Sequence, residues 1–550
     1  MKRLIGLLLV LVMMASMLMA CSPTALKPNG GSNVQEVTDK NAVPDLTGVT
    51  IRIMTNSSIT SGVDYSTILP RWEQVAERTG CTIIWEVIDS DYYTVLNTRL
   101  VGDPSICPDI VMAGPVTSAD SYIEDELFYN IKEAFPACPN IKSFYEETNP
   151  QMADLLTYTD GGIYQLAAST YLSYEDYLQT QNNNYTENHL WYRSDLAAKL
   201  GFTEPPETLD DWYNMLVAAK KAYPSMYIFD TKSVHSDWSS LSVFAGSFGL
   251  QMNHNNADNY FALKDGEVIF EPATDAAKAW MKEMNKWYKA GLLHDGSSTS
   301  QLYTNGAAGL TFSSFWRGMR NHVADLLASN PEVTYQAVAI PSVEGYERNF
   351  AARDPYGDTY AIVDNGDPEK CLKVAQFLDY AVYSIYGIAC ERLGPEGTAW
   401  EFNENGKVVL TENAKNYTSV ELNSLGSYMW AKFPSVYSYE INSVYNTLYD
   451  TGATDANVDP RMLAYEQTAI EATKQNLSFS TEHFVAPYMS PEDQEEVRYI
   501  LADLNTFTKE MITGYILGNK NIDKFQTEFV DVLYSTFRLQ DLLDIYNKYV

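Results

Sequence analysis

Three apolar segments near the start of the chain alternate with two amphipathic ones, and this alternation restricts the possible folds more than any other feature. The apolar segments read VTIRIMTN, CTIIWEVI and DIVMAG. The first amphipathic segment carries Ile68, Trp72 and Val75 on one helical face, and the second covers residues 93–100. Strands that alternate with helices in this way build a parallel sheet with helices on its faces. The sequence therefore predicts an α/β fold.

The ligand crevice of such a sheet lies beyond the carboxyl ends of its strands. The first predicted strand ends with Thr55 and Asn56, and the third runs into a loop that begins at Ala113. We expect Thr55 and Asn56 to contact a ligand, from position alone.

Clear helix signals recur in the middle of the chain. Thr208 and Asp211 match a capping box, and apolar residues follow at helical spacing. Residues 274–290 predict an amphipathic helix whose stripe we assign to the core: Ala277, Trp280, Met284 and Trp287. The segment DGEVIFEP predicts a hairpin or strand edge, residues 368–386 predict a helix, and the chain after Pro491 predicts two long helices.

The amino terminus has the order of a secretory signal. Lys2 and Arg3 precede an uncharged run, residues 4–20, that ends in a small residue before Cys21. The quartet LMAC resembles the bacterial lipobox, in which the cysteine receives a diacylglycerol and becomes residue one of a lipoprotein. A retained membrane anchor and a plain signal peptide stay open as alternatives. Residues 21–45 are then the lipidated cysteine and a flexible tether. We expect the tether to be flexible because its polar residues cannot bury enough apolar surface to offset the entropy cost of ordering.

Charge and cysteine usage exclude several classes of protein. The net charge of −33 would repel nucleic acid and anionic lipid. Five cysteines besides Cys21 are widely spaced and odd in number, so no disulfide framework is implied. Cys107 and Cys138 could pair in an oxidising exterior, although we expect free buried thiols.

Catalytic and cofactor motifs are absent from the sequence. It contains no HExxH, CxxC, Walker or GxGxxG pattern, and AGSFG has Ala245 where a nucleophile elbow needs glycine. The acidic stretch DTGATDANVDP could hold calcium but departs from the EF-hand order, so a solvated loop is predicted. We therefore expect no catalytic residues, no metal and no cofactor.

Several segments together resemble the extracellular solute-binding proteins of ABC importers, in particular the large carbohydrate-type lipoproteins. They are the lipobox, LWYRSDLAAKLGFTEPPETLDDWYNML, GAAGLTFSSFW, KVAQFLDYAVYSIYGIACERLGPEGTAWEFNENGKV and KEMITGYILGNKNIDKFQTEF. The resemblance implies two discontinuous α/β lobes joined by hinge crossover strands, with a helical carboxyl terminus. It assigns residues 46–185 plus about 350–405 to the first lobe. Residues 186–349 plus about 406–550 then form the second.

The resemblance also implies a set of ligand-binding residues. The stacking aromatic of maltose-binding proteins falls on Trp316, with Phe315 as the register alternative. Polar loops add further candidates. Trp238 and Asp237 have a packed loop ring as the structural alternative, and Arg353, Asp354 and Tyr356 have a structural Arg–Asp pair. Tyr164 and Trp430 are candidates from loop position alone. Aromatic rings and hydroxyl-pairing side chains suit the flat faces and hydroxyls of a sugar.

The expected function is binding without catalysis. The protein would capture an oligosaccharide or similar polyhydroxylated solute between its lobes and deliver it to the transmembrane subunits of an ABC permease. It would act as a monomer on the extracellular face of the cell membrane, attached only through its lipid. A peptide-binding relative is the alternative within the class. A secreted glycoside hydrolase is the alternative outside it, because 71 acidic residues could supply a catalytic pair.

Overall fold

The structure is a computed structural model with two lobes of mixed α/β architecture. It describes residues 34–56, 69–102, 107–114, 119–167, 169–172, 176, 189–231, 238–252, 260–293, 299–315, 326–350, 359–417, 421, 425, 435–448, 459–479, 484 and 486–550. The signal segment and Cys21 lie outside these ranges. Within them, no helix combines the length and the apolar character needed to cross a bilayer.

The strands of the described residues are short. In chain order they are β1 (Thr50–Asn56), β2 (Thr82–Ile88), β3 (Ile110–Gly114), β4 (Leu166–Ala167), β5 (Ser169–Tyr171), β6 (Leu190–Arg193), β7 (Tyr227–Asp230), β8 (Phe261–Lys264), β9 (Glu267–Phe270), β10 (Thr311–Phe315), β11 (Tyr335–Val338), β12 (Thr359–Ile362), β13 (Trp400–Phe402), β14 (Val408–Leu410) and β15 (Ser435–Tyr437).

Helices surround the strands in both lobes. In chain order they are α1 (Pro70–Thr79), α2 (Tyr92–Val101), α3 (Asp120–Glu124), α4 (Pro139–Ser143), α5 (Pro150–Leu156), α6 (Ser194–Lys199), α7 (Leu209–Ala222), α8 (Asp275–Lys289), α9 (Thr299–Ala307), α10 (Pro368–Leu378), α11 (Ile385–Leu393), α12 (Tyr439–Leu448), α13 (Pro460–Leu477), α14 (Pro491–Leu517), α15 (Asp531–Ser535) and α16 (Leu539–Tyr546).

The sheet of the first lobe has the order β2-β1-β3-β12-β4. The strands β1, β2 and β3 are parallel, as predicted, and β12 runs antiparallel between β3 and β4. Helix α1 begins with Pro70 at its first turn and ends at Gly80, whose φ of 77° is easily adopted only by glycine. These local signals return the chain to the sheet and confirm the predicted βαβαβ unit.

The second lobe has a four-stranded sheet in the order β11-β6-β10-β7. Thr208 caps α7 by accepting from the amide of Asp211, and the Asp211 carboxylate accepts in return, so the predicted capping box is confirmed. The predicted apolar stripe of α8 is fully buried: Ala277, Trp280, Met284 and Trp287. The predicted hairpin is β8–β9, which turns at Asp265 and Gly266.

Buried side chains form separate cores in the two lobes. The first core draws on residues 46–167 and 360–441, including Trp400, Val436 and Ile441, and on Tyr488. The second draws on residues 190–340 and 484–546, with a smaller cluster under α13. Residues of the first core thus precede residue 172 and recur between 360 and 441, and residues of the second core lie between 190 and 340 and again after 459.

The carboxyl-terminal part differs from the prediction of two long helices. Helix α14 is long, but the predicted second helix is wrong, because the chain breaks into the 3-10 helix Ile522–Lys524, the π-helical turn Gln526–Val530, α15 and α16. Gly518 ends α14 with a φ of 78°, and Arg538 introduces α16 with a φ of 53°. Phe525 and Phe529 fold back onto Tyr515, so tertiary packing decides these breaks.

The five cysteines of the described residues are free and buried: Cys81, Cys107, Cys138, Cys371 and Cys390. The structure thus agrees with free thiols rather than with a bond between Cys107 and Cys138. Burial raises the pKa of the Cys371 thiol to about 11, which disfavours the reactive thiolate.

Candidate functional site

The carboxyl ends of the parallel strands in the first lobe meet at one edge of the sheet. Asn56 ends β1 and Gly114 ends β3. The antiparallel β12 begins at the same edge with Thr359, whose hydroxyl donates to the Gly114 carbonyl oxygen at 2.6 Å. Open α/β sheets bind ligands at such edges. We call Thr55, Asn56, Gly114 and Thr359 the first edge.

Thr55 and Asn56 differ in their surroundings. Thr55 is buried, and its Oγ1 lies 3.0 Å from the hydroxyl oxygen of Tyr360 in β12, so it braces the sheet across β3. Asn56 is half-buried at the end of β1. The structure therefore places both predicted residues at the first edge, and their ligand contacts stay predictions.

The second lobe has a comparable edge at the ends of β7 and β10. These strands are parallel, with Ser314 opposite Asp230, and the antiparallel β6 begins there with Leu190 opposite Phe315. The hydroxyl of Thr231, the residue after β7, is buried and has no hydrogen-bond partner among the described residues. We call Asp230, Thr231, Phe315 and Leu190 the second edge.

Asp230 is the most firmly held polar residue of the second edge. Its carboxylate is buried and accepts from Nδ2 of Asn305 at 2.9 Å and from Oγ1 of Thr311 at 3.0 Å. Asp230 is not among the residues predicted from the sequence. The signal that could have found it is a carboxylate that directly follows the apolar run of a strand, YIF.

The covalent crossings connect the two edges. The chain leaves the first lobe after β5, next to β4, and enters β6 through His189, which is hydrogen-bonded to the Tyr465 hydroxyl at 2.5 Å. A later crossing returns to Thr359 at the first edge. The chain that leaves each edge thus arrives at the other, and these crossings join the two edges. We call the space between them the candidate cleft.

Most of the other predicted site residues lie outside the described residues. They are Trp316, Asp237, Arg353, Asp354, Tyr356 and Trp430, together with the calcium-like loop after Asp450. Trp238 begins the 3-10 helix Trp238–Phe244. Phe315, the register alternative to Trp316, ends β10 and is buried in the second core.

Tyr164 lies apart from the first edge. It precedes β4, and the pairing of Leu166 with Tyr360 places it toward the amino end of β3. Its hydroxyl donates to the Asp160 carboxylate at 2.6 Å, and its ring meets that of Tyr158 edge to face. These contacts give Tyr164 a structural role, and its ligand contact stays a prediction.

Two buried carboxyl groups titrate near neutral pH. Asp120 opens α3, shortly after β3, and burial raises its pKa to about 7 against the attraction of Arg498. Burial likewise raises the pKa of Glu271 to about 7, although its carboxylate accepts from the amides of Gln251 and Met252. The described residues contain no group of three or more acidic, histidine or cysteine side chains that could hold a metal.

Comparison with known proteins decides the family. The model of the bacterial extracellular solute-binding proteins matches residues 61–382, more than half of the chain. The chain belongs to this family. No curated protein matches the chain significantly. The family description names an extracellular protein, which agrees with the location expected from the sequence. The two-lobed fold agrees with the expected fold.

Solved structures support the fold of this solute-binding protein. An alginate-binding protein, AlgQ2, is 18% identical with a TM-score of 0.64, and the match covers 94% of this chain and 99% of that one. A binding protein for human milk oligosaccharides (HMO) from Bifidobacterium longum infantis is 16% identical, with a TM-score of 0.67 and coverages of 91% and 98%. Streptococcus pneumoniae FusA in complex with kestose is 19% identical, with a TM-score of 0.64 and the same coverages.

Proposed function

We propose that the solute-binding protein captures an oligosaccharide in the candidate cleft and delivers it to the transmembrane subunits of an ABC permease, without catalysis. The observation that carries the proposal is the pair of sheet edges that end in polar side chains, Thr55 and Asn56 on one lobe and Asp230 and Thr231 on the other. Such groups pair with sugar hydroxyls. A solute that touches both lobes would favour their closed arrangement.

The names of the similar structures support this class of solute. One binds milk oligosaccharides, one is in complex with kestose and one binds alginate. The net charge of −33 and the carboxylate of Asp230 favour a neutral sugar over a polyanionic one, since like charges repel.

The sequence-predicted aromatic and polar residues complete the proposed site. In the sequence, Trp316 directly follows Phe315, the last residue of β10. We propose that its ring stacks on a sugar face. We keep six further residues as proposed contacts: Trp238, Asp237, Arg353, Asp354, Tyr356 and Trp430.

The lobe limits and the anchor belong to the same proposal. The first core includes Val436 and Ile441, which supports a first lobe of residues 46–176 and 359–448 rather than one that ends near 405. The second lobe is then 189–350 and 459–550. We propose a monomer that is held on the outer face of the membrane by acyl chains on Cys21. Replacement of Cys21 by Ser should release the protein into the medium, and membrane retention of that variant would count against the lipid anchor.

Isothermal titration tests the solute class. The probes are kestose, a neutral milk tetrasaccharide, an alginate oligomer and a tripeptide, each added to the purified protein. We expect heat from a neutral sugar and a higher unfolding temperature, because a ligand at 100 times its Kd stabilises the native state by about 2.7 kcal/mol. Heat from the tripeptide alone, or release of reducing sugar during incubation, would overturn the proposal.

A matched pair of variants tests the site. Trp316→Ala should weaken sugar binding by a factor of roughly 10, since an aromatic contact contributes on the order of 1 kcal/mol or more. Tyr499→Ala is the control, because Tyr499 is 74% exposed on α14 and lies on neither edge. Equal affinities of the two variants would remove Trp316 from the proposed site.

A further inference from the structure

Tyr488 connects the two lobes from within a segment of the second. It lies between α13 and α14, and its neighbours Phe484 and Met489 are buried in the second core. Its own ring is buried in the first core. Among the described residues from 459 to 550, Tyr488 alone belongs to the first core.

A short chain of hydrogen bonds holds Tyr488 to the first edge. Its hydroxyl donates to Oε1 of Gln165, and Nε2 of the same amide donates to Oγ1 of Thr359. The Thr359 hydroxyl in turn donates to the carbonyl oxygen of Gly114. Gln165 is fully buried, and Thr359 and Tyr488 are nearly so. One amide therefore links the carboxyl-terminal segment to strands β3 and β12.

The chain beside Tyr488 is held equally firmly in the second lobe. Met489 is buried there, and the amide of Ser490 donates to the hydroxyl oxygen of Tyr549 at 2.9 Å. The Tyr549 hydroxyl donates to the Asp493 carboxylate at 2.7 Å. Two residues span at most about 7 Å, so the attachments to the two lobes cannot move far apart.

We propose that Tyr488 and Gln165 form the pivot of the lobe movement. A rotation of one lobe against the other must leave their contact nearly fixed, so its axis passes close to Tyr488. Gln165 precedes the first crossing and Thr359 ends the second, so the pivot ties these crossings to the carboxyl-terminal segment. Both residues are positioning residues and need not touch the solute.

Interlobe distances in the protein without solute test the pivot. Spin labels are attached to Glu77→Cys on α1 and Lys282→Cys on α8, which are exposed positions in different lobes. Cys21→Ser removes the other accessible thiol, since the five remaining cysteines are buried. Double electron–electron resonance then compares the parent chain with Tyr488→Phe and Gln165→Leu.

Tyr92→Phe is the matched control. Tyr92 is also a buried tyrosine, and its hydroxyl makes two hydrogen bonds inside the first lobe, to the Met54 carbonyl oxygen at 3.1 Å and from the Met112 amide at 2.8 Å. Its replacement should lower the unfolding temperature and leave the interlobe distances unchanged.

We expect Tyr488→Phe and Gln165→Leu to broaden or shift the distance distribution beyond any change in Tyr92→Phe. The double variant should add little, because both substitutions break the same hydrogen bond. Distributions that match the control would overturn the pivot and leave Tyr488 a merely structural residue. If Gln165→Leu fails to fold, Tyr488→Phe, which removes one oxygen atom, gives the same decision.

A consequence for affinity rests on the proposed function. The apparent Kd rises as the binding-competent arrangement becomes less populated. Loss of one hydrogen bond at the pivot should raise the Kd for a bound sugar about 2- to 12-fold. A protein that binds no sugar would refute the proposed function, and the distance measurement would still decide the pivot.

Discussion

Ser314 and Asp230 lie opposite each other in the register of β10 and β7, and the Ser314 hydroxyl donates to the Asp230 carbonyl oxygen at 2.5 Å. This bond holds the ends of the two strands together at the second edge. The Asp230 side chain separately accepts hydrogen bonds from Asn305 and Thr311. Backbone and side chain of one aspartate thus fix the geometry of this edge.

Replacement of Asp230 by Ala should destabilise the protein by about 3 kcal/mol. The substitution removes the acceptor of two donors, and an unsatisfied buried group costs about 1–3 kcal/mol. Urea denaturation gives the free energy of unfolding. Asp154→Ala, at an exposed position on α5, is the control and should change it little. A loss no larger than the control's would show that the Asp230 carboxylate does not hold this edge.

The stability of the protein should depend on pH through Asp120. An unfolded aspartate releases its proton near pH 4, whereas burial raises the pKa of Asp120 in the folded protein to about 7. Between these values the native state binds more protons, so its stability falls as the pH rises. The groups that act on this carboxyl are Arg498 and Glu124, and Asp120 in turn acts on Tyr158 and Tyr488.

Asp120→Asn should therefore stabilise the protein at pH 8, by on the order of 2 kcal/mol, and much less at pH 5. Thermal unfolding at the two pH values measures the difference. Asp154→Asn, at an exposed position of α5, should give the same small change at both pH values. A gain from Asp120→Asn that does not vary with pH would contradict the assigned titration.

Thr208→Ala should cost about 1 kcal/mol of unfolding free energy, because it removes the side-chain oxygen that accepts from the Asp211 amide at the start of α7. Sugar affinity should not change, since the cap belongs to neither edge. Thr506→Ala, at an exposed position of α14, is the control and should be neutral or slightly stabilising, because alanine is the better helix former. Equal effects of the two substitutions would argue against the capping box as a stabilising feature.

The buried cysteines should be unreactive in the folded protein. Burial raises the pKa of the Cys390 thiol, as it does for Cys371, to about 11. With Cys21 lipidated or replaced, a thiol reagent such as 5,5′-dithiobis(2-nitrobenzoate) should find no reactive group in the native protein and five after denaturation. Fewer than five thiols in the denatured, unreduced protein would reveal a disulfide that the structure does not contain.

Local sequence patterns were enough for the first parallel unit, for α7 and α8 and for the hairpin β8–β9. The predicted strands VTIRIMTN, CTIIWEVI and DIVMAG became β1, β2 and β3 within a residue or two. The capping box and the stripe of α8 were also predictable, because period and caps are properties of neighbouring residues. The prediction of one helix over residues 368–386 differs from the structure. Helix α10 ends at Leu378, and a π-helical turn, Asp379–Tyr383, follows it. The carboxylate of Asp379 accepts a hydrogen bond from the Ile141 amide.

The sequence by itself determined the order of strands and helices and placed Thr55 and Asn56 at the end of β1. It could not place Asp230 beside Asn305 and Thr311, or Tyr488 beside Gln165, because hydrogen bonds across 75 and 323 positions have no periodic signature. Only the tertiary structure decided which segments cross between the lobes. Val436 and Ile441 pack in the first core with residues that are distant in the sequence, so no local pattern could assign them to that lobe.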